Sequence, residues 1–241
     1  MKRTSIITVI ALLITFSTSY AQNVDKILKD HFDATGQKKI SEVKSQIITG
    51  KSIITSMGMN MPFVITLARP HSIRVESTFQ GSKMIQTYDG EKAWVLAPMM
   101  GRSEPTELTG NELKLIRNQS DMDGPLWDYE RKGNTVEYIG EEMVKESPAH
   151  HLKVTTPEGD IIHQYIDKKT NLLVKTATTQ TMGGAETELE NLYSEYKTVK
   201  GITMAHVITT RMNGETITSV EIDDVEFNKS VDPELFKKPS L

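Results

Sequence analysis

The sequence predicts a mainly β protein with some α: a large, strongly curved antiparallel sheet with helices packed on one face. Three observations carry that expectation. Between about residue 43 and residue 227 the apolar side chains recur with period two, as in Ile73, Val75 and Phe79 against Arg74, Glu76 and Thr78. The alternating runs are separated by very short turns marked by Gly or Pro, and such connections join only antiparallel neighbours. Helical periodicity is confined to the start of the chain and to one stretch near its middle.

Taken in order, residues 1–21 read as a secretory signal. Lys2 and Arg3 form a basic start, Ile6 to Phe16 is apolar apart from Thr8 and Thr15, and Ser19 and Ala21 are small residues at the cleavage positions. The apolar run is too short to span a bilayer. Residues 22–241 are expected to form a single domain, since no low-complexity stretch divides them. Residues 23–34 form the first predicted helix, with Asn23 as cap and Val24, Ile27, Leu28 and Phe32 on one face. Gly36 is placed to end it in the left-handed conformation. A further turn is expected over 38–43.

Twelve β runs follow, over about 43–55, 60–68, 71–79, 82–88, 91–97, 134–140, 149–156, 160–166, 172–182, 186–197, 202–212 and 215–227. In the last, Val220 and Ile222 hold one parity while Val225 and Phe227 hold the other. The intervening Asp223-Asp224 therefore suggests a bulge. Between the fifth and sixth runs, 109–121 is helical by pattern, with Leu113, Ile116 and Leu108 on one face, and 124–129 forms a second short turn. About a dozen strands in one antiparallel sheet must curl. Two helical segments are too few to fill the concave face, so the sheet encloses an apolar pocket.

The 12 methionines bear on that pocket. Met57, Met59 and Met61 alternate and would line one face, while Met99 and Met100 precede the helical insertion. Flexible, polarizable Met suits either an adaptable apolar pocket or an irregular core, and composition does not decide between them.

Composition excludes several classes. With 28 Lys+Arg against 32 Asp+Glu the formal charge is -4, a poor basis for binding nucleic acid through phosphate. The absence of Cys excludes thiol catalysis, iron–sulfur clusters and Cys-ligated zinc. No nucleophile elbow, zinc-protease helix, phosphate loop or dinucleotide fingerprint occurs. His150 and His151 are adjacent in a strand and point to opposite faces, and His163 and His206 stand alone. No enzyme activity, metal or cofactor is expected.

Two segments suggest a relationship. They are Val64-Ile65-Thr66-Leu67-Ala68-Arg69-Pro70-His71-Ser72-Ile73-Arg74-Val75-Glu76 and Tyr88-Asp89-Gly90-Glu91-Lys92-Ala93-Trp94, followed by the helical insertion. This order resembles the LolA/LolB-like outer membrane lipoprotein carriers, and is closer to the branch called outer membrane lipoprotein-sorting proteins. The same branch is resembled by Ala34-Thr35-Gly36-Gln37, Gln164-Tyr165-Ile166-Asp167 and the closing Asp232-Pro233-Glu234-Leu235-Phe236-Lys237-Lys238-Pro239.

The resemblance implies an unclosed β-barrel, with the N-terminal helix and a central helical lid over a hydrophobic cavity. It implies a soluble carrier in the Gram-negative periplasm, binding lipoprotein acyl chains or free lipid. Its partners would be an inner-membrane release complex and an outer-membrane receptor. An early-strand Arg would hold the lid closed, and Arg69 is the position matched to it. Arg74 could meet the lid or a lipid head group, or sit on a solvated strand face. Cavity and lid are assigned to Met57, Met59, Met61, Phe63, Ile65, Ile73, Val75, Phe79, Met84, Trp94, Leu113 and Ile116. The lipidated receptor branch carries a modified Cys, which this chain lacks. The alternative is a non-enzymatic protein-binding or sensor module whose concave face is packed solid.

Overall fold

Helix α1 occupies residues 23–35 of a computed structural model that describes residues 23–182 and 185–240. The expected signal segment, 1–21, lies outside the described residues. Val24, Ile27 and Leu28 are buried along one side of α1, as their spacing requires. The Thr35 hydroxyl donates to the His31 carbonyl at 2.9 Å near its end. Gly36 then adopts φ 72 and starts α2 (Gln37–Glu42). A Cβ on Gly36 would lie 2.3 Å from the Gly201 carbonyl oxygen, so this corner tolerates only glycine, for contact as well as for conformation.

Thirteen strands form one antiparallel sheet: β1 (Ser45–Ile54), β2 (Met59–Ala68), β3 (Ser72–Phe79), β4 (Ser82–Tyr88), β5 (Ala93–Ala97), β6 (Arg102–Glu107), β7 (Thr135–Val144), β8 (Ser147–Thr155), β9 (Ile161–Asp167), β10 (Leu173–Met182), β11 (Ala185–Val199), β12 (Ile202–Met212) and β13 (Glu215–Phe227). Their order is β6-β5-β4-β3-β2-β1-β13-β12-β11-β10-β9-β8-β7. Two meanders are thus joined by pairing of the first strand with the last. Strands β6 and β7 remain as edges, and the chain between them carries α3 (Gly110–Gln119).

One strand escaped the sequence pattern. β6 reads Arg-Ser-Glu-Pro-Thr-Glu, with no apolar alternation. As an edge strand it pairs on one side only, which permits Pro105 and exposed charge. The bulge at Asp223 is present: Thr49 faces Asp224 and Gly50 faces Ile222, leaving Asp223 without a counterpart. It brings Ile222, Val225 and Phe227 into a single core cluster despite their opposed parity. At Gly50 an added Cβ would meet the Glu221 carbonyl oxygen at 2.2 Å and the Phe63 ring at 2.8 Å.

Three clusters cover the concave face. Leu67, Ile73, Tyr88, Ala93, Val95 and Ala97 pack with Ile116 of α3. Phe63, Ile202, Ile222, Val225 and Phe227 pack with Val43 beyond α2. Leu152, Val154 and Ile166 pack with α1 and Leu126. The C-terminal segment lies on the opposite face, where Phe236 is buried. There Arg74 and Thr87 donate to the carbonyls of Leu235 and Lys237 at 3.0 and 3.2 Å.

Candidate functional site: a lid across the open edge

Because β6 and β7 do not pair, the connection between them crosses the open side of the sheet. Its first part is α3. Ile116 of α3 is 2% exposed against the β3–β5 cluster and Leu113 is half-buried beside it. Leu115, on the other side of the same helix, is 58% exposed. Helix α3 is therefore amphipathic and seated with its apolar side inward.

Ion pairs hold α3 from both sides. Arg102 at the start of β6 reaches Glu112 at 3.0 Å. Across the gap, Arg117 pairs with Glu158 and Lys114 with Asp160, both in the β8–β9 turn region. These side chains are substantially solvent-exposed, so each pair contributes about 0–1 kcal/mol.

The stronger tie is Arg69, at the end of β2. Its Nη1 and Nη2 donate to Asp123 Oδ2 and Oδ1 at 2.6 and 2.7 Å, a bidentate pair. Its Nε donates to the Val43 carbonyl at 2.7 Å and Nη2 also to that of Ile40 at 2.9 Å. One guanidinium thus ties β2, the end of α2 and the segment after α3. Asp123 is held further by Gln37, whose amide donates to its carbonyl at 3.1 Å. Lys132 closes the same segment by reaching Asp121 and the Gly124 carbonyl.

Burial pushes the Asp123 carboxyl up, but the Arg69 hydrogen bonds and charge outweigh it and set it below the usual 3.8. A lowered folded value gives a contribution fully present above 3.8 and lost as pH falls through the folded value. Fluorescence of Trp127, in this segment, should therefore stay constant through neutral pH and change only below 3.8. A transition near about pH 6, the histidine range, contradicts the assignment of the latch to Asp123.

The remaining site residues sort by parity. Phe63, Ile65, Ile73, Val75 and Met84 come together on the concave face. Met59 and Met61 share the parity of Phe63, and Phe79 that of Ile73 and Val75, so they extend this face along β2 and β3. Three expectations are corrected. Met57 does not line the face; it sits on a short 3-10 turn (Thr55–Met57) and is 67% exposed. Trp94 alternates with Ala93 and Val95 and so faces the opposite side, paired with Thr87 and Glu107. Arg74 also lies on that outer side, bonded to Glu76 at 2.7 Å and to the C-terminal segment.

Some features were not foreseen. A pocket of about 590 Å³ opens between α1 and residues 126–131, with Leu28, Phe32, Leu126, Trp127 and Tyr129 among its walls. On the outer face His163 is not isolated: its Nδ1 lies 2.7 Å from Nε2 of His151, whose Nδ1 lies 2.7 Å from Glu142. Only the strand register brings these together. Among the described residues no group of three or more His, Cys, Asp or Glu is arranged to hold a metal ion.

A LolA superfamily protein from Nitrosomonas europaea has the same architecture, with a TM-score of 0.60 at 12% identity over 89% of this chain and 97% of that one. The chain has a LolA-like fold. A domain from Vibrio parahaemolyticus assigned to the outer membrane lipoprotein-sorting proteins aligns with a TM-score of 0.59 at 12% identity, over 88% of this chain and 97% of its own. A DUF1329 family protein from Desulfovibrio piger gives 0.59 at 13% identity, over 87% and 96%. No protein-family model matches the chain, and no curated protein matches it. In this chain the sheet is antiparallel and its edge strands β6 and β7 do not pair, and the Arg69–Asp123 pair ties the segment after α3 to the end of β2.

Proposed function

We propose that this protein is a non-enzymatic periplasmic carrier that shelters acyl chains, of lipoproteins or of other lipids, beneath α3. The observation that carries the reading is an amphipathic helix seated on an apolar concave face, held by exposed ion pairs and followed by a segment that the Arg69 guanidinium ties down. Displacing α3 uncovers Ile65, Ile73, Val75 and Met84, a surface that an acyl chain can replace. Each buried methylene offers about 0.8 kcal/mol before ordering costs, enough for micromolar binding by a long chain. Loading at the inner membrane and delivery to an outer-membrane receptor would each act by shifting the lid. Residues 1–21 support export, and no helix among the described residues is long and apolar enough to cross a membrane.

The test is titration of the purified mature chain with a fluorescent fatty-acid analogue, read by emission in the apolar site. Saturable micromolar binding that unlabelled lipid displaces is the expected result. Absence of saturable binding overturns the carrier reading and favours a module with a permanently filled core.

A further inference from the structure

On the concave face of the second meander one transverse row breaks the apolar pattern. Gln164 of β9 faces Thr176 of β10, and Thr176 faces Asn191 of β11. Asn191 faces Thr210 of β12, and Thr210 faces Thr218 of β13. Directly opposed residues share a face of the sheet. Five consecutive strands therefore place five uncharged polar side chains in one line. Leu152 of β8 bounds it beyond Gln164, and Ile54 of β1 bounds it beyond Thr218. Ile166 on β9, Ile202 and Met204 on β12 share the row's parity and pack in the concave clusters, which fixes the face.

The row is internally organised. The Thr210 hydroxyl donates to Asn191 Oδ1 at 2.8 Å, and Asn191 Nδ2 donates to Thr176 Oγ1 at 3.4 Å. The Thr176 hydroxyl lies 3.3 Å from that of Tyr193. Burial holds the Tyr193 hydroxyl above its usual 10.0, so it remains protonated and neutral. These bonds leave capacity over. Asn191 keeps a second amide N–H and a second lone pair, and each threonine hydroxyl keeps an acceptor site. Gln164 is 4% exposed. Thr176, Asn191, Thr210 and Thr218 are only partly buried.

The row thus sets partly exposed, uncharged donors and acceptors beside three apolar clusters, so an amphiphile lying on this face meets both kinds of surface. Among the five residues none is charged, so the row cannot neutralise a carboxylate, phosphate or ammonium, and burying one there would be heavily penalised. Neutral carbonyls and hydroxyls match it. We infer that the row from Gln164 to Thr218 is a subsite for the uncharged polar linkage of an amphiphile, the ester, amide or hydroxyl groups adjoining an acyl chain. This rests on the carrier reading and deepens it: the β2–β5 half takes hydrocarbon and the β9–β13 half takes the linkage.

The experiment compares 1-palmitoylglycerol with palmitate on the wild type and on two shape-conserving variants, Asn191→Leu and Thr210→Val. Isothermal titration gives the affinities, and thermal unfolding confirms the fold. The wild type should prefer the glyceride. Each variant should lose about tenfold in glyceride affinity, the size of a lost hydrogen bond to the ligand, with palmitate binding unchanged. If Asn191→Leu fails to fold, Thr210→Val alone decides. Equal effects on both ligands, or no effect on either, overturn the subsite and leave the carrier reading standing. A wild type that binds neither ligand overturns both.

Discussion

Arg69→Met should destabilise the protein by about 2–3 kcal/mol, a value set below that of a fully buried pair because the guanidinium keeps some solvent contact. The methionine fills the stem of the arginine but satisfies none of its partners. Asp123, whose side chain is 12% exposed, would keep a carboxylate without its cation. The carbonyls of Ile40 and Val43 would lose their donor as well. Two consequences should separate. Urea unfolding should report the lost stability, and hydrogen exchange should rise most in 110–123, the part the latch fastens, with little change in β8–β12. Asp123→Asn should be milder, since its amide oxygen still accepts from the guanidinium. Uniform exchange across the sheet would show Arg69 to be a general core group and not a latch.

Ile116→Ala should cost about 2–4 kcal/mol, because this side chain is 2% exposed and its removal leaves a cavity that the strands beneath cannot collapse to fill. Leu115→Ala, one position away and 58% exposed, should change stability by no more than about 0.5 kcal/mol. The contrast matters because both residues are apolar and adjacent on α3. In the carrier reading Ile116 occupies ground that an acyl chain takes when the lid moves, so Ile116→Ala should also raise the affinity for a fluorescent fatty acid. Calorimetry and probe titration on the two variants check both parts. Equal losses for Ile116 and Leu115 would mean that α3 is not seated as described.

How far the sequence reached can be traced residue by residue. Strand alternation, turn chemistry and the Asp223 bulge are local signals, so the long antiparallel sheet is legible in the sequence. Strand β6 was not, because an edge strand with one solvated side needs no apolar pattern. Arg69 was placed through a family resemblance. Its partners, Asp123 and the carbonyls of Ile40 and Val43, could not be read because no periodicity encodes a contact between residues so distant in the chain. Trp94 is a simpler case: its size suggests a cavity wall, whereas its pairing with Thr87 puts it on the outer face. The row from Gln164 to Thr218 was invisible for the same reason as the latch: each residue lies in a different strand, and only the register aligns them.

Native mass spectrometry of residues 22–241, purified gently and never exposed to detergent, tests the central claim most directly. The expected spectrum shows the chain carrying one lipid mass. A clean unliganded mass for the wild type, together with no adduct after added acyl lipid, would contradict a lid that closes over cargo.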